Sequence, residues 1–525
     1  MRYISNRENQ VKEASPNNLI NKPISTDLQA ILDDMQLLLT SCSDAVVKEF
    51  SFGNPAVHAC LFYFDGLVDK KQIEASLLKP LLLELNMMHN NNDLQVANHP
   101  DLLEKVQDKL LNLAEIKRVD NLQAICHHIT SGDTVLCIDG CAEALAAGTR
   151  SWNGRTIQTP ENETTVFGPK EGFCETLRFN TAVLRRRLKS TRFKIDSLVV
   201  GRISKTDLAV CYIEGIVPPR LVEEIKARLN RIEIDAILDT GYLAELIVDY
   251  KWTIFSQAEH TEKPDRVCGQ LLEGKVCIMA DGTPMALILP ISFPEYMISS
   301  EDYYIHFIPA SLFRMLRFTA FILALLMPSL YVSLISFHHE MIPTPLLLTI
   351  AATRQNVPFP AFLEALILES TFELLREAGL RLPRAVGPAV SIVGALIIGD
   401  AAVRAGLVST PMVVIVAFTG IASFVSPSYN AGIIIRIARF AFMFAAGLLG
   451  FLGIIIALLL LIIRMASLSS FGLPYLSPMA PLNLRQMGDI IIRRPWFKNM
   501  QRPYWEGMAD TTRQNDAAKK GSPQQ

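Results

Sequence analysis

Hydrophobic and polar positions divide the chain in two. Up to about Ser311 apolar residues come in short, interrupted groups, whereas from Phe318 to Ile463 long apolar runs dominate. Residues 1–26 are polar, carry Pro16 and Pro23, and read as disordered. Helical spacing then predicts a helix over Asp27–Cys42, and VVKEFSFG and AVHACLFYF read as two strands followed by a helix through LLKPLLLEL. A further helix is expected over Leu102–Ile129 and a strand over Thr134–Ile138. The stretch SLVVGRISKTDLAVCYIEGIVPPRLVEEIKARLN again reads strand, turn, strand, helix, and Tyr63–Val68 (YFDGLV) is echoed by Tyr212–Val217 (YIEGIV). In both copies an acid-Gly pair ends a buried strand and turns toward a helix, which explains the glycine without a ligand. Two more strands are expected at Gly274–Met279 and Met285–Leu289, joined by a turn at Asp281–Pro284.

The second half begins with FTAFILALLMPSLYVSLISF, a first span preceded by Arg314 and Arg317. By the positive-inside tendency those arginines keep the preceding region cytosolic. Met341–Thr353 is too short to cross and carries Pro343 and Pro345, so it reads as a half-helix or re-entrant segment. AVGPAVSIVGALIIGDAAVRAG is a further span, whose small residues, Gly394 and Gly399 among them, permit close helix packing. Asp400 and Arg404 are four apart there, close enough to neutralise one another. PMVVIVAFTGIASFVSP follows, and then FAFMFAAGLLGFLGIIIALLLLIIRMA reads as one span preceded by Arg436 and Arg439. Both flanks of the apolar half are basic, which asks for an even number of crossings. The apolar spans and the charged helix described next give five, so the count stays open.

That charged helix lies between VPFP and RLP, about Ala361–Ala378, with Gly379 suited to close it and Pro383 to block continuation. Glu369, Glu373, Arg376 and Glu377 share one face, and Glu364 lies opposite. An ionised side chain at mid-bilayer costs about 2.5–3.5 kcal/mol, so this face has to pair internally, meet another subunit or line water. The fold class implied is an α+β cytosolic region of two related α/β subdomains followed by an all-α multi-span membrane domain. The divisions fall at 1–26, 27–130, 131–311, 312–466 and 467–525.

Composition adds little: the net charge is −2, and the mean hydropathy of +0.26 averages over two unlike halves. No basic stripe with interleaved aromatics points to nucleic acid. The polar N-terminus has no apolar core, so no signal peptide is expected. All nine cysteines precede the first apolar run, lack CxxC spacing and read as free thiols in a reducing compartment. Cys137 and Cys141 near His127 and His128, and the loop His338-His339-Glu340, read as ordinary packing rather than metal sites; no metal or cofactor is expected. GPKEGF with Leu184-Arg185-Arg186-Arg187 fits an anion site less well than a solvated or inter-subunit face. No phosphate-loop or dinucleotide spacing occurs, and no catalytic set stands out.

Several motifs together nevertheless resemble one family. GPKEGF, Asn180 before LRRRLKS, GRISKT, YIEGIV, LLEGKVCIMADGTPMALILP, EDYY, MPSLYVSLISFHHEMIPT, VPFPAFLEALILESTFELLREAGLRLP, IVGALIIGDAAV and FGLPYLSPMAP are similar to GerA-type A subunits of bacterial spore germinant receptors, over about residues 30–505. The resemblance implies a protein of the spore inner membrane with its N-terminal region facing the spore core. It implies a homo-oligomer around a cation conduit, assembled with a transporter-like, nutrient-binding B subunit and a C-subunit lipoprotein. The family's membrane residues carry over as Pro358, Phe359, Pro360, Glu364, Glu369, Glu373, Arg376, Glu377 and Gly379. Asp400 and Arg404 depart from a pattern in which uncharged glutamine is expected, and Cys174 stands where a hydroxyl residue is expected. On this reading the 361–378 helix lines or gates the conduit, with Ala361, Phe362 and Ala365 forming the constriction. The alternatives are a non-conducting scaffold that relays a signal and a secondary transporter; the latter predicts a repeat within the membrane half, and none is visible.

Overall fold

The computed structural model describes residues 22–53, 56–84, 103–104, 106–107, 115–151, 160, 163, 165–381, 400–503 and 507–513. Asp27 caps the first helix, α1 (Leu28–Leu38), by accepting from the Gln29 amide, and Ile31, Leu32, Met35 and Leu38 form its buried stripe. β1 (Ala45–Phe52) and β2 (Val57–Phe64) pair as an antiparallel hairpin, Ala45 opposite Phe64. A helical segment begins at Lys70, capped by Asp69. Next come β3 (Ile116–Val119), α2 (Leu122–Thr130), β4 (Thr134–Ile138) and β5 (Ala144–Ala147). The single helix expected over Leu102–Ile129 is therefore wrong at its centre. Ile116–Val119 pairs with β5, and the Asn121 side chain starts a new helix by accepting from the Ala124 amide. A neighbouring strand edge decided this segment, and four residues of local pattern could not reveal it.

The second unit runs α3 (Leu177–Arg187), β6 (Phe193–Val200), β7 (Thr206–Ile213), α4 (Pro219–Asn230), α5 (Thr240–Ile247), β8 (Glu259–Thr261), α6 (Pro264–Leu272), β9 (Val276–Ala280) and β10 (Ala286–Leu289). The two five-stranded sheets have the same order, β1-β2-β4-β5-β3 and β6-β7-β9-β10-β8, with every pairing antiparallel. The echo between YFDGLV and YIEGIV is thus a duplicated fold. One boundary moves: β4 and β5 complete the first sheet, so that unit extends past residue 130 to at least Ala147.

Gly66 and Gly215 occupy equivalent corners with φ of +90° and +79°. A Cβ at Gly215 would also crowd the Arg192 guanidinium, at 2.7 Å. Left-handed backbone costs a non-glycine residue about 1–2 kcal/mol, so Gly215→Ala should destabilise by about that much. Thermal unfolding of the full-length protein measures it.

Two buried cations join the two units: Lys194 donates to the Leu38 carbonyl at 3.1 Å, and Arg185 makes the denser set of contacts. Arg185 donates to both carboxylate oxygens of Asp44, at 2.9 and 2.7 Å, and to the Phe193 carbonyl at 2.7 Å. Its guanidinium lies over the rings of Phe64 and Phe193, at 4.3 and 4.8 Å. Arg186 and Arg187 both pair with Glu171. The arginine run is therefore neither an anion site nor a solvated face; it holds the chain's own carboxylates. Cys137 and Cys141 lie in different core clusters, and His128 pairs with Asp133 at 2.7 Å.

The apolar half is a helical bundle: α7 (Phe307–Ser336), α8 (Thr344–Arg354), α9 (Ala361–Arg381), α10 (Thr410–Phe424), α11 (Tyr429–Leu449) and α12 (Phe451–Ser467). Among the described residues, only α7 and α11 are long and apolar enough to cross a membrane by length and composition; α10 and α12 are shorter apolar helices. Two sequence expectations change. The run from Phe440 to Ala466 is two helices, broken at Gly450 with φ +63°. α9 continues through Gly379 to Arg381, because Gly379 keeps helical geometry and Glu377 pairs with Arg381 across the added turn at 2.6 Å. At 21 residues α9 is about 31 Å long.

Packing fixes the direction of each helix. Ala431 at the start of α11 and Met465 near the end of α12 share a cluster with Phe255, Ile291 and Tyr296 of the second unit. Gly450, between α11 and α12, abuts Phe337 and His338 at the far end of α7. α9 starts at that far end, where Phe362 meets Phe444 and Gly447, and runs back to Arg376 beside Ser423. The chain after α12 returns to the sheets: Arg314 pairs with Asp302 and Asp489, and Met508 enters the core below β9. Both flanks of the bundle therefore lie on one side.

Candidate functional site: a polar seam inside the helical bundle

α9 and α11 each place charges on the face that meets the other. Glu369 and Glu373 are four apart on α9, and Arg436 and Arg439 are three apart on α11, so each pair forms a short row. Arg439 Nη1 donates to Glu369 Oε2 at 2.7 Å, and Nη2 donates to Glu373 Oε1 at 3.0 Å. Arg436 approaches the other Glu373 oxygen at 3.7 Å. Arg376 lies 3.4 Å from Glu373, donates to Ser423 Oγ at 2.6 Å, and spreads over the rings of Phe372 and Phe424. Glu369 and Arg439 are both wholly buried. Three guanidiniums face two carboxylates, so the seam carries one excess positive charge. Taking ions out of water costs several kcal/mol each, and such geometry is what offsets it.

Glu364 serves a second seam on the opposite side of α9. Its Oε1 accepts from both the amide and the hydroxyl of Ser409, each at 2.5 Å, and Arg354 lies 3.7 Å from Oε2. Ser409 precedes the first turn of α10, so a carboxylate sits where the helix dipole favours negative charge. Glu364 therefore ties α8, α9 and α10 together.

The remaining sequence-derived residues fall as follows. Ala361 and Ala365 are buried inside the chain. Phe362 packs edge-on against Phe444, ring centroids 5.1 Å apart, over the space that Gly447 leaves open. Glu377 is exposed with Arg381. Asp400 and Arg404 pair at 2.7 Å on the surface. Gly394 and Gly399 lie outside the described residues. His338 packs its ring against Phe451.

Sequence reasoning overlooked Arg439, Arg436, Ser423, Arg354 and Ser409. The signal was present: two arginines three apart in an apolar run, as a pair of carboxylates on a neighbouring helix requires. Reading them as flanking charges before a span hid it, because the helix break at Gly450 had not been seen.

On the other side, α9 has a face that no described residue covers. Leu363, Ile367, Ser370, Leu374 and Glu377 are all exposed, Leu374 by 70%. Their 4-3-4-3 spacing is that of a helix seam.

Residues 33–505 match the model of the family described as GerA, Bacillus/Clostridium GerA spore germination protein. Spore germination protein KA of Bacillus subtilis (strain 168) is 40% identical over 492 residues, 94% of this chain and 89% of that protein. The uncharacterized membrane protein YfkQ of the same strain is 40% identical over 493 residues, 94% of this chain and 93% of that protein. Spore germination protein GerLA of Bacillus cereus is 35% identical over 486 residues, 93% of this chain and 97% of that protein. The crystal structure of the N-terminal domain of the A subunit of the Bacillus megaterium spore germinant receptor GerK3 is 32% identical, with a TM-score of 0.41, covering 51% of this chain and 96% of that one. With the family match spanning nearly the whole chain, this protein belongs to the GerA family of spore germination proteins.

Proposed function

We propose that this chain is the A subunit of a nutrient germinant receptor, and that copies of it assemble through the open face of α9 around a cation conduit. The bundle sits in the spore inner membrane with the two sheets facing the core. A transporter-like B subunit supplies nutrient recognition and a C-subunit lipoprotein completes the receptor. The reading assigns the chain no catalysis. Two basic flanks on one side fit an even number of crossings. Among the described residues α7, α9, α10, α11 and α12 run between the two sides of the bundle, and residues 382–399 lie outside those described.

The observation that carries the proposal is the stripe Leu363, Ile367, Ser370, Leu374 and Glu377. Its spacing suits a partner helix, and a serine and a glutamate in it suit protein or water better than lipid. Glu369, Glu373 and Arg376 are then internal struts, and the conduit borders the opposite face. Phe362 acts on the gate indirectly, by seating α9 against α11. Ser370→Cys should therefore form a disulfide with its counterpart in a neighbouring copy under mild oxidation. The background is low, since eight of the nine native thiols are buried. A band at the monomer position on a non-reducing gel of the membrane-embedded receptor contradicts the assembly.

A scaffold that relays a signal without conducting is favoured by one observation: the seam's charges find partners inside a single chain, so they require no wet path. Potassium flux into liposomes separates the readings. The conduit predicts nutrient-dependent flux when the three subunits are reconstituted, and none with nutrient present supports the scaffold.

A further inference from the structure

We infer that the cleft between α11 and α12 is a binding site for one anionic phospholipid of the leaflet nearest the sheets. The cleft has a volume of about 830 Å³. Small side chains open it, Ala438 and Ala441 on α11 and Ala457 on α12, the close approach of Gly453 to the Ala445 backbone closes its far end, and its walls are apolar along their length. At its mouth, on the sheet side, stand Lys251, Trp252 and Arg464.

Length selects the occupant. From Gly453 to Arg464 the wall covers eleven residue steps, about 17 Å of helix. A leaflet's hydrocarbon is half of a core of about 30 Å, so the cleft takes an acyl chain, whereas a spanning partner helix would need about twice its length.

Charge selects the headgroup. Other cations near this border hold carboxylates of the chain: Arg314 and Arg317 share Asp302, and Arg436 and Arg439 share Glu373. Lys251 and Arg464 have no carboxylate partner among the described residues. The neighbouring Asp249 is taken by Arg228 at 2.7 Å and by the Phe471 amide at 2.8 Å. Among the described residues the Arg464 side chain reaches only the Trp252 carbonyl, at 3.5 Å, and the ring of Tyr250. Two uncompensated cations above an apolar cleft match a phosphate above an acyl chain. Trp252, 96% exposed beside them, has the amphipathic character of a residue seated among headgroups.

The inference rests on the membrane placement proposed above, and its test separates the two. The probe is the full-length protein in detergent, exchanged against mixed phosphatidylglycerol and phosphatidylcholine micelles, with retained lipid counted by native mass spectrometry. One phosphatidylglycerol should be retained in preference to phosphatidylcholine. Lys251→Ala, which breaks no hydrogen bond or ion pair among the described residues, should weaken that preference about fivefold, and Lys251→Ala with Arg464→Ala should abolish it. Ala441→Leu, which narrows the cleft, should lower retention of both lipids. Equal retention of the two lipids, or an unchanged preference in the Lys251→Ala protein, overturns the site. A disulfide between copies through Ala441→Cys also overturns it, because a second chain then occupies the cleft. Extraction of the wild-type protein from membranes by detergent-free alkaline buffer overturns the membrane placement itself.

Discussion

Arg439→Met should unfold or strongly destabilise the helical bundle, by about 3–5 kcal/mol, because it leaves Glu369 buried without its cation. Methionine is apolar, unbranched and of comparable length, so the change isolates charge from packing. The Glu369 oxygen now held at 2.7 Å would be left without that donor in the buried interior of the bundle. Glu373 keeps Arg376 and Arg436 at 3.4 and 3.7 Å and suffers less. Thermal unfolding in detergent reads the effect. A fall no larger than that of an exposed substitution such as Arg404→Met would mean that the seam contributes little to holding α9 on α11.

The second large effect is expected outside the helical bundle. Arg185→Met should cost about 3–5 kcal/mol through the same mechanism, since Asp44 is buried and Arg185 is its ion-pair partner. Two further losses accompany it: the stacking on Phe64 and Phe193, and the hydrogen bond to the Phe193 carbonyl. Because α3 carries this arginine and Asp44 precedes β1, the variant loosens the union of the two sheets more than either sheet alone. Hydrogen exchange should rise first where residues 41–43 run beside β6, the site of the Cys42–Ile195 bridge. Protection there equal to wild type contradicts the assignment of Arg185 as a stitch between the units.

Which parts of this structure could be read from the residues follows from what kind of interaction made them. Strands β1, β2, β6 and β7 were legible because their apolar positions and the turn at each acid-Gly pair are local signals. The duplication was legible for the same reason, though not its full extent, since β4 and β5 join the first sheet through pairing with β2 and β3. Segment Ile116–Val119 was illegible because only its partner β5 makes it a strand. The charged face of α9 announced itself by cost: carboxylates in a hydrocarbon-length helix demand an answer. That the answer was Arg436 and Arg439 was hidden by the break at Gly450, which no periodicity marks. Arg314 and Arg317 were read as charges before a span, but α7 begins at Phe307 and both reach back to Asp302. Sequence spacing records faces; it does not record which face of which helix arrives opposite.

The account stands or falls on whether α9 is neutralised within its own chain by α11. A double-mutant cycle of Glu369→Gln and Arg439→Gln, followed by thermal unfolding of the purified full-length protein, tests this directly. Direct pairing at 2.7 Å predicts a coupling energy of about 1.5–3 kcal/mol, the double variant being far less destabilised than the sum of the singles. Additivity within about 0.5 kcal/mol would contradict it, and would return Glu369 to a partner outside the chain.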